Sequence, residues 1–176
     1  MVVGSQCPLS ITIPDTWVAP PTNVIKINFD GGVLVEKKGV GSGVVARNSN
    51  GSCLGWLSKF FLDIEDPEHA KAIIAREAME LAYRFGWRNI ILEGDCAQVI
   101  SKLQSPDTDS SFIASLISNV KFLCSRFACV SFCQVKRSDN CVAHTLARSA
   151  VGSLEGPVDP SMSVLSFLVS DISSDS

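Results

Sequence analysis

The stretch from Asp66 to Glu93 constrains the fold most. Asp66-Pro67-Glu68 reads as a helix start, with an acidic cap and proline in the first turn. Ala70, Ile73, Ile74, Ala78, Leu81, Ala82 and Phe85 then recur at helical spacing, and Gly86 ends the helix. Asn89 to Glu93, NIILE, is a short and mostly apolar strand. A helix set between two strands makes a crossover connection. Upstream lie three strand candidates: Val24 to Phe29, Gly39 to Ala46 and Ser52 to Leu62. The first is read as ending at Asp30-Gly31-Gly32, and Ser49-Asn50-Gly51 supplies a tight turn between the other two. Sequential strands with short turns predict an antiparallel meander.

Downstream, Ala97 to Leu103 reads as a short helix and Phe112 to Phe127 as a longer one, with a Ser/Pro/Asp/Thr loop between them. Cys129 to Val135 is a last strand, and Ser138 or Asp139 caps a final helix running to about Ala150. The order predicts an α/β fold: a five-stranded mixed sheet, three strands antiparallel and two parallel, with helices on both faces. Residues 1–22, punctuated by Pro14, Pro20 and Pro21, are expected to be irregular. The domain proper is placed at 23–151. Residues 152–176 form a tail, apolar enough at 164–169 to dock and loose at its end.

Composition narrows the function classes. A length of 176 residues suits one compact domain. A formal net charge of -3 argues against a strongly basic nucleic-acid binder, although a local basic strip is compatible with it. Seven cysteines at irregular spacings, without Cys-x-x-Cys, and only two histidines argue against a structural zinc site. They read as reduced thiols of an intracellular, reducing compartment, nuclear or cytoplasmic. No apolar run is long enough to span a membrane, and residues 1–13 lack the pattern of a secretory signal.

Three acids stand where an acid needs a reason. Asp30 ends one apolar strand, Asp95 follows another, and Glu77 falls inside the apolar stripe of its helix. Singly, each has a plain use: a turn residue, a helix cap, a stripe edge reaching solvent. Together, two adjacent parallel strands ending in acids, crossed by a helical acid, would gather three carboxylates. Such a cluster needs cations, and oxygen-only ligation suits magnesium or manganese. Other motifs fall away. Gly39-x-Gly41-x-Gly43 precedes a strand and not a helix, so it is no dinucleotide loop. Asp107-x-Asp109 lacks the glycine of a calcium loop.

The segments IKINFDGG, GVGSGVVARNSNG, AREAMELAYRFGWRNIILEGD and VKRSDNCVAHTLAR resemble plant ribonuclease H-like domains related to the end domain of retroelement reverse transcriptases. The resemblance covers roughly Trp17 to Ala150, with all four segments in order. It implies a ribonuclease H-like fold and metal-dependent cleavage of the RNA strand of RNA–DNA hybrids by two Mg2+ or Mn2+ ions. It also implies Asp30, Glu77 and Asp95 as catalytic metal ligands. The fourth such ligand is an aspartate in an Ala-Asp-x-Leu-Ala context; here His144 stands in its place and is expected to take the weaker ligand position. Imidazole brings no negative charge and favours softer ions than magnesium. VKRSDN also lacks the loop histidine that bacterial-type members carry before the last helix. Gly31, Gly32 and Gly41 are expected near the 2'-hydroxyls of a bound strand. Lys136 and Arg137 are expected to touch phosphate, and Asn140 to support the site. A second reading stands beside the nuclease: a weak or inactive module that binds hybrid, structured nucleic acid or a protein.

Overall fold

The computed structural model describes residues 17–107 and 110–150, together with the backbone of 153–156. Its sheet runs, edge to edge, through Cys129–Gln134, Asn89–Gly94, Ile25–Leu34, Gly39–Arg47, Cys53–Leu62 and Ser153–Gly156. The first three strands are β1 (Ile25–Leu34), β2 (Gly39–Arg47) and β3 (Cys53–Leu62), paired antiparallel in sequence. Then come helix α1 (Pro67–Arg84), β4 (Asn89–Gly94), α2 (Ala97–Gln104), α3 (Ala114–Cys124), β5 (Cys129–Gln134) and α4 (Cys141–Arg148). Strands β4 and β5 extend the sheet parallel to β1. This is the predicted five-stranded mixed sheet. To it the chain adds β6 (Ser153–Gly156), antiparallel to β3 at the edge and within the stretch expected to be a tail. The apolar run at 164–169 lies outside the described residues.

Local chemistry explains the elements. Asp66 accepts a hydrogen bond from the His69 main-chain N–H at 2.6 Å, and Pro67 occupies the first turn, so α1 starts where an orphan donor finds a carboxylate. Gly86, at φ +72°, lets the chain leave α1 in the left-handed region. Asn48 accepts from the N–H groups of Asn50 and Ser52, fixing the β2–β3 turn around Gly51 at φ +78°. The sequence placed a side-chain cap at Ser138 or Asp139. The chain instead makes a 3-10 turn over Arg137–Asn140 before α4, and no side chain caps that helix.

The helices divide between the two faces because strand side chains alternate. A Cβ at Gly31 would press on Ile74 of α1, whereas one at Gly32 would point toward Arg148 of α4. On the α1 side, Ile27, Phe29, Val40, Val44, Leu57 and Leu92 meet Ile74, Ala75, Ala78 and Met79 in the core. On the other side α4 lies almost on the backbone of β2. A Cβ at Gly41 or Gly43 would collide with the main-chain carbonyls of Ala147 and Ala143. Those glycines are close-packing positions, and every residue of β2 is buried.

Beside α4, on the same face, lies a buried polar network closed by Trp17. Lys26 pairs with Glu93 at 2.8 Å, Glu93 accepts from Asn28 at 3.0 Å, and Asn28 accepts from the Trp17 indole N–H at 3.0 Å. The Arg47 guanidinium stacks on the indole, 4.0 Å from its centroid. All four polar side chains of the sheet are buried and each makes at least one bond within the network, so opening it leaves buried polar groups unpaired. Trp17→Ala should therefore destabilise the domain by about 2–3 kcal/mol, combining lost packing with an opened network. Urea unfolding measures this, and a loss under about 0.5 kcal/mol would mean that the segment around Trp17 is not part of the fold.

Candidate functional site

The site arises where two parallel strands part. β1 and β4 stay paired up to Phe29 beside Gly94, and then β4 ends while β1 runs on to Leu34. The sequence ended β1 at Asp30; the structure continues it, because Asp30, Gly31 and Gly32 pair with Gly43, Ser42 and Gly41 of β2. The departure of β4 frees main-chain groups on one side of β1. The Phe29 carbonyl accepts from Asn140 Nδ2 at 2.9 Å, and the Gly31 N–H donates to Asp30 Oδ1 at 2.8 Å. Asp95 follows the end of β4, so both aspartates border this notch.

Asp30 is completely buried, at 0% exposure, and both of its oxygens are engaged. Oδ1 takes the Gly31 N–H and lies 3.2 Å from the Lys71 ammonium. Oδ2 lies 2.7 Å from His144 Nδ1. An ionised carboxylate only accepts, so Nδ1 carries the proton of that bond. Nδ1 then has no lone pair for Arg137 Nη2, and their 3.5 Å approach is proximity rather than a bond. Lys71 also donates to Asp95 Oδ1, and Arg137 Nε stands 3.9 Å from Asp95 Oδ2. The ammonium of Lys71 thus bridges the two aspartates from α1. Burial by itself would lower its pKa, but the hydrogen bond to Asp95 and the charge of Asp30 outweigh that and raise it above the ordinary 10.5.

Glu77, expected as the helical ligand, is elsewhere. It pairs with Lys59 of β3 at 3.3 Å and lies near Arg76. Helix geometry gives the reason: six residues separate positions 71 and 77, roughly 9 Å along the axis and about a third of a turn out of phase. The α1 position that faces Asp30 and Asp95 is 71, and it carries lysine. The signal was available in the sequence. A crossover helix runs back against its strands, so its first turns, and not its middle, overlie the strands' C-terminal ends.

The remaining expected residues separate clearly. His144 joins Asp30. Arg137, 66% exposed on its side chain, and Lys136 are at the surface beside it. Gly32 is partly open, with nothing nearer to a would-be Cβ than Arg148 Cγ at 4.0 Å. Gly41 is buried under α4 and cannot reach a ligand, and Gly31 faces Ile74. Asn140 is 1% exposed and its amide nitrogen holds the Phe29 carbonyl, so it supports the site from below.

Divalent ions do not suit this donor set. Magnesium and manganese need several free oxygens. Here Asp30 has both oxygens occupied, Asp95 is bonded to the same ammonium, and Lys71 stands between them with a fixed positive charge. Among the described residues no group of three or more His, Cys, Asp or Glu is arranged to hold a metal ion. The two-ion centre expected from the resemblance is therefore not built.

This sheet order, with α1 and α4 on opposite faces and an acid pair at the β1–β4 notch, defines a ribonuclease H-like fold. A model of the family described as Reverse transcriptase-like matches residues 28–150, and the chain belongs to that family. A comparison with curated protein sequences gives no match. Among solved structures, the chain is similar to RNase H1 of the halophilic archaeon Halobacterium salinarum, with a TM-score of 0.66 and 23% identity over 72% of this chain and 96% of that one. It is similar to LC11-RNase H1, isolated from compost and solved in complex with RNA/DNA hybrid, with a TM-score of 0.64, 19% identity, 72% of this chain and 96% of that one. The foamy viral protease-reverse transcriptase, also in complex with RNA/DNA hybrid, gives a TM-score of 0.55 at 12% identity over 77% of this chain and 21% of that one. At such identities the likeness concerns the fold.

Proposed function

We propose that this domain binds RNA–DNA hybrid, or a duplex of similar shape, without hydrolysing it by the two-metal route. One observation carries this reading: the Lys71 ammonium is bonded to both Asp30 and Asp95, in the space that divalent ions would need. A lysine there supplies neither a Lewis acid nor an activated water. The nucleic-acid part of the reading is supported by the relatives of this fold that were solved with RNA/DNA hybrid, and by Lys136 and Arg137 exposed at the mouth of the notch. Hydrolysis, the expectation drawn from the resemblance, is disfavoured by the same lysine.

The test is an end-labelled RNA strand annealed to DNA, incubated with the protein in magnesium and separately in manganese. The expected result is no cleavage beyond that of an Asp30→Asn control, together with a mobility shift of the intact hybrid. Cleavage abolished by Asp30→Asn would overturn the reading and restore the nuclease.

A further inference from the structure

The sequence carries a net charge of -3, yet cations concentrate along one border of the molecule. Lys136 and Arg137 precede α4, Arg148 lies in its last turn, and Lys37 and Lys38 sit in the connection from β1 to β2. Lys37 Nζ donates to the Ala150 carbonyl at 3.2 Å, which holds that connection against the end of α4. His144 and Arg148 are four residues apart, so they share a helix face with a rise of about 6 Å between them. Acids border it too: Glu36 beside Lys37, Asp63 next to Lys38, Asp139 before α4 and Asp95 beside Arg137.

We infer that the exposed side of α4, from Lys136 and Arg137 through His144 to Arg148 and Lys37, is a surface for the phosphodiester backbone of a duplex, and that it works without a metal ion. The inference rests on the binding role proposed above and names the surface that would perform it. Its physical basis is charge compensation. Two bare aspartates at the notch would repel a phosphate, and a metal ion would be one way to reverse that. Here Lys71 already offsets them from beneath, with Arg137 beside Asp95, so a phosphate approaching from solvent meets guanidinium donors over a compensated floor. Gly32, bare of a side chain under Arg148, leaves room for a sugar–phosphate strand to lie close. α4 alone is about 12 Å long. A duplex carries a charge every ~1.7 Å of its axis, so several phosphates fall within the length of the strip.

The experiment measures fluorescence anisotropy of labelled RNA–DNA hybrid, double-stranded RNA and double-stranded DNA of one sequence, in EDTA and in magnesium, across a salt series. Wild-type binding should be no weaker in EDTA than in magnesium, which only competes for the phosphates. Arg137→Ala with Arg148→Ala should weaken it ten-fold or more and reduce the slope of log K against log salt by about 2, at ~0.9 per phosphate contact. Arg126→Ala, near Tyr83 of α1 on the opposite face, should change affinity less than two-fold. Circular dichroism of each variant verifies the fold. Equal affinity for the three duplexes assigns the surface to backbone alone, and preference for hybrid and double-stranded RNA adds contact with 2'-hydroxyls; both support the inference. Wild-type binding that the double variant leaves unchanged, or that EDTA abolishes, overturns the inference while the binding role stands. No binding of any duplex by folded wild-type protein overturns the binding role itself.

Discussion

Lys71→Met should destabilise the domain by about 3 kcal/mol, because it leaves a fully buried aspartate and its neighbour without their shared cation. Methionine matches the four-atom stem of lysine and lacks the ammonium, so the loss reports chiefly charge. The lower end of the 3–5 kcal/mol range for broken buried pairs applies because Lys71 is in partial contact with solvent. The pH dependence follows from the raised pKa of the ammonium. Its contribution is complete below the unfolded value of about 10.5 and disappears only as pH rises through the higher folded value. The difference between wild type and variant should therefore stay flat across neutral pH and shrink in strong alkali. Millimolar manganese should restore part of the lost stability to the variant and none to wild type, since only the variant has carboxylates in want of a cation. Urea unfolding with and without manganese measures both effects. Equal stability of the two proteins would mean that Lys71 is not bound to the aspartates in solution.

A second large effect belongs to the seat of α4. Gly43→Ala should cost about 3 kcal/mol, at the upper end of the usual penalty for overpacking. The atoms a Cβ would strike are the Ala143 carbonyl, the Ala147 nitrogen at 2.6 Å and Leu146 Cβ at 2.8 Å, none of which is a flexible chain end. Relief requires α4 to lift, and lifting α4 withdraws His144 from Asp30. Gly32→Ala is the matched comparison on the same face: its nearest obstacle is Arg148 Cγ at 4.0 Å, and stability should change by no more than about 0.5 kcal/mol. Equal costs at the two positions would contradict the close contact of α4 with β2.

Much of the fold was legible because local chemistry and periodicity agree. The Asp66-Pro67 cap, the Asn-Gly turn, the stripe of α1 and the apolar β4 each state their element plainly, and the crossover follows from their order. The glycines were harder. Asp30-Gly31-Gly32 has the composition of a turn, yet here glycine serves close packing of a helix on a continuous strand, a tertiary fact invisible in one segment. The same holds for Gly41, which the sequence offered to a ligand and the structure gives to α4. At the site, Asp30, Asp95 and His144 were legible from strand ends and motif, and the structure brings all three to one notch. Glu77 drew attention because an acid inside an apolar stripe looks functional, yet it pairs with Lys59 from another strand, and the direction of the crossover helix pointed instead to the first turns of α1. Lys71 escaped notice since lysine in the first turns of a helix is ordinary; only its position between the buried Asp30 and the half-buried Asp95 makes it decisive.

The central claim, that Lys71 fills the role of a cation at the aspartate pair, is tested most directly by titrating the wild-type protein with manganese by calorimetry, beside Asp30→Asn. No saturable binding that the substitution removes is expected. Two ions bound at defined stoichiometry, and lost in Asp30→Asn, would contradict it.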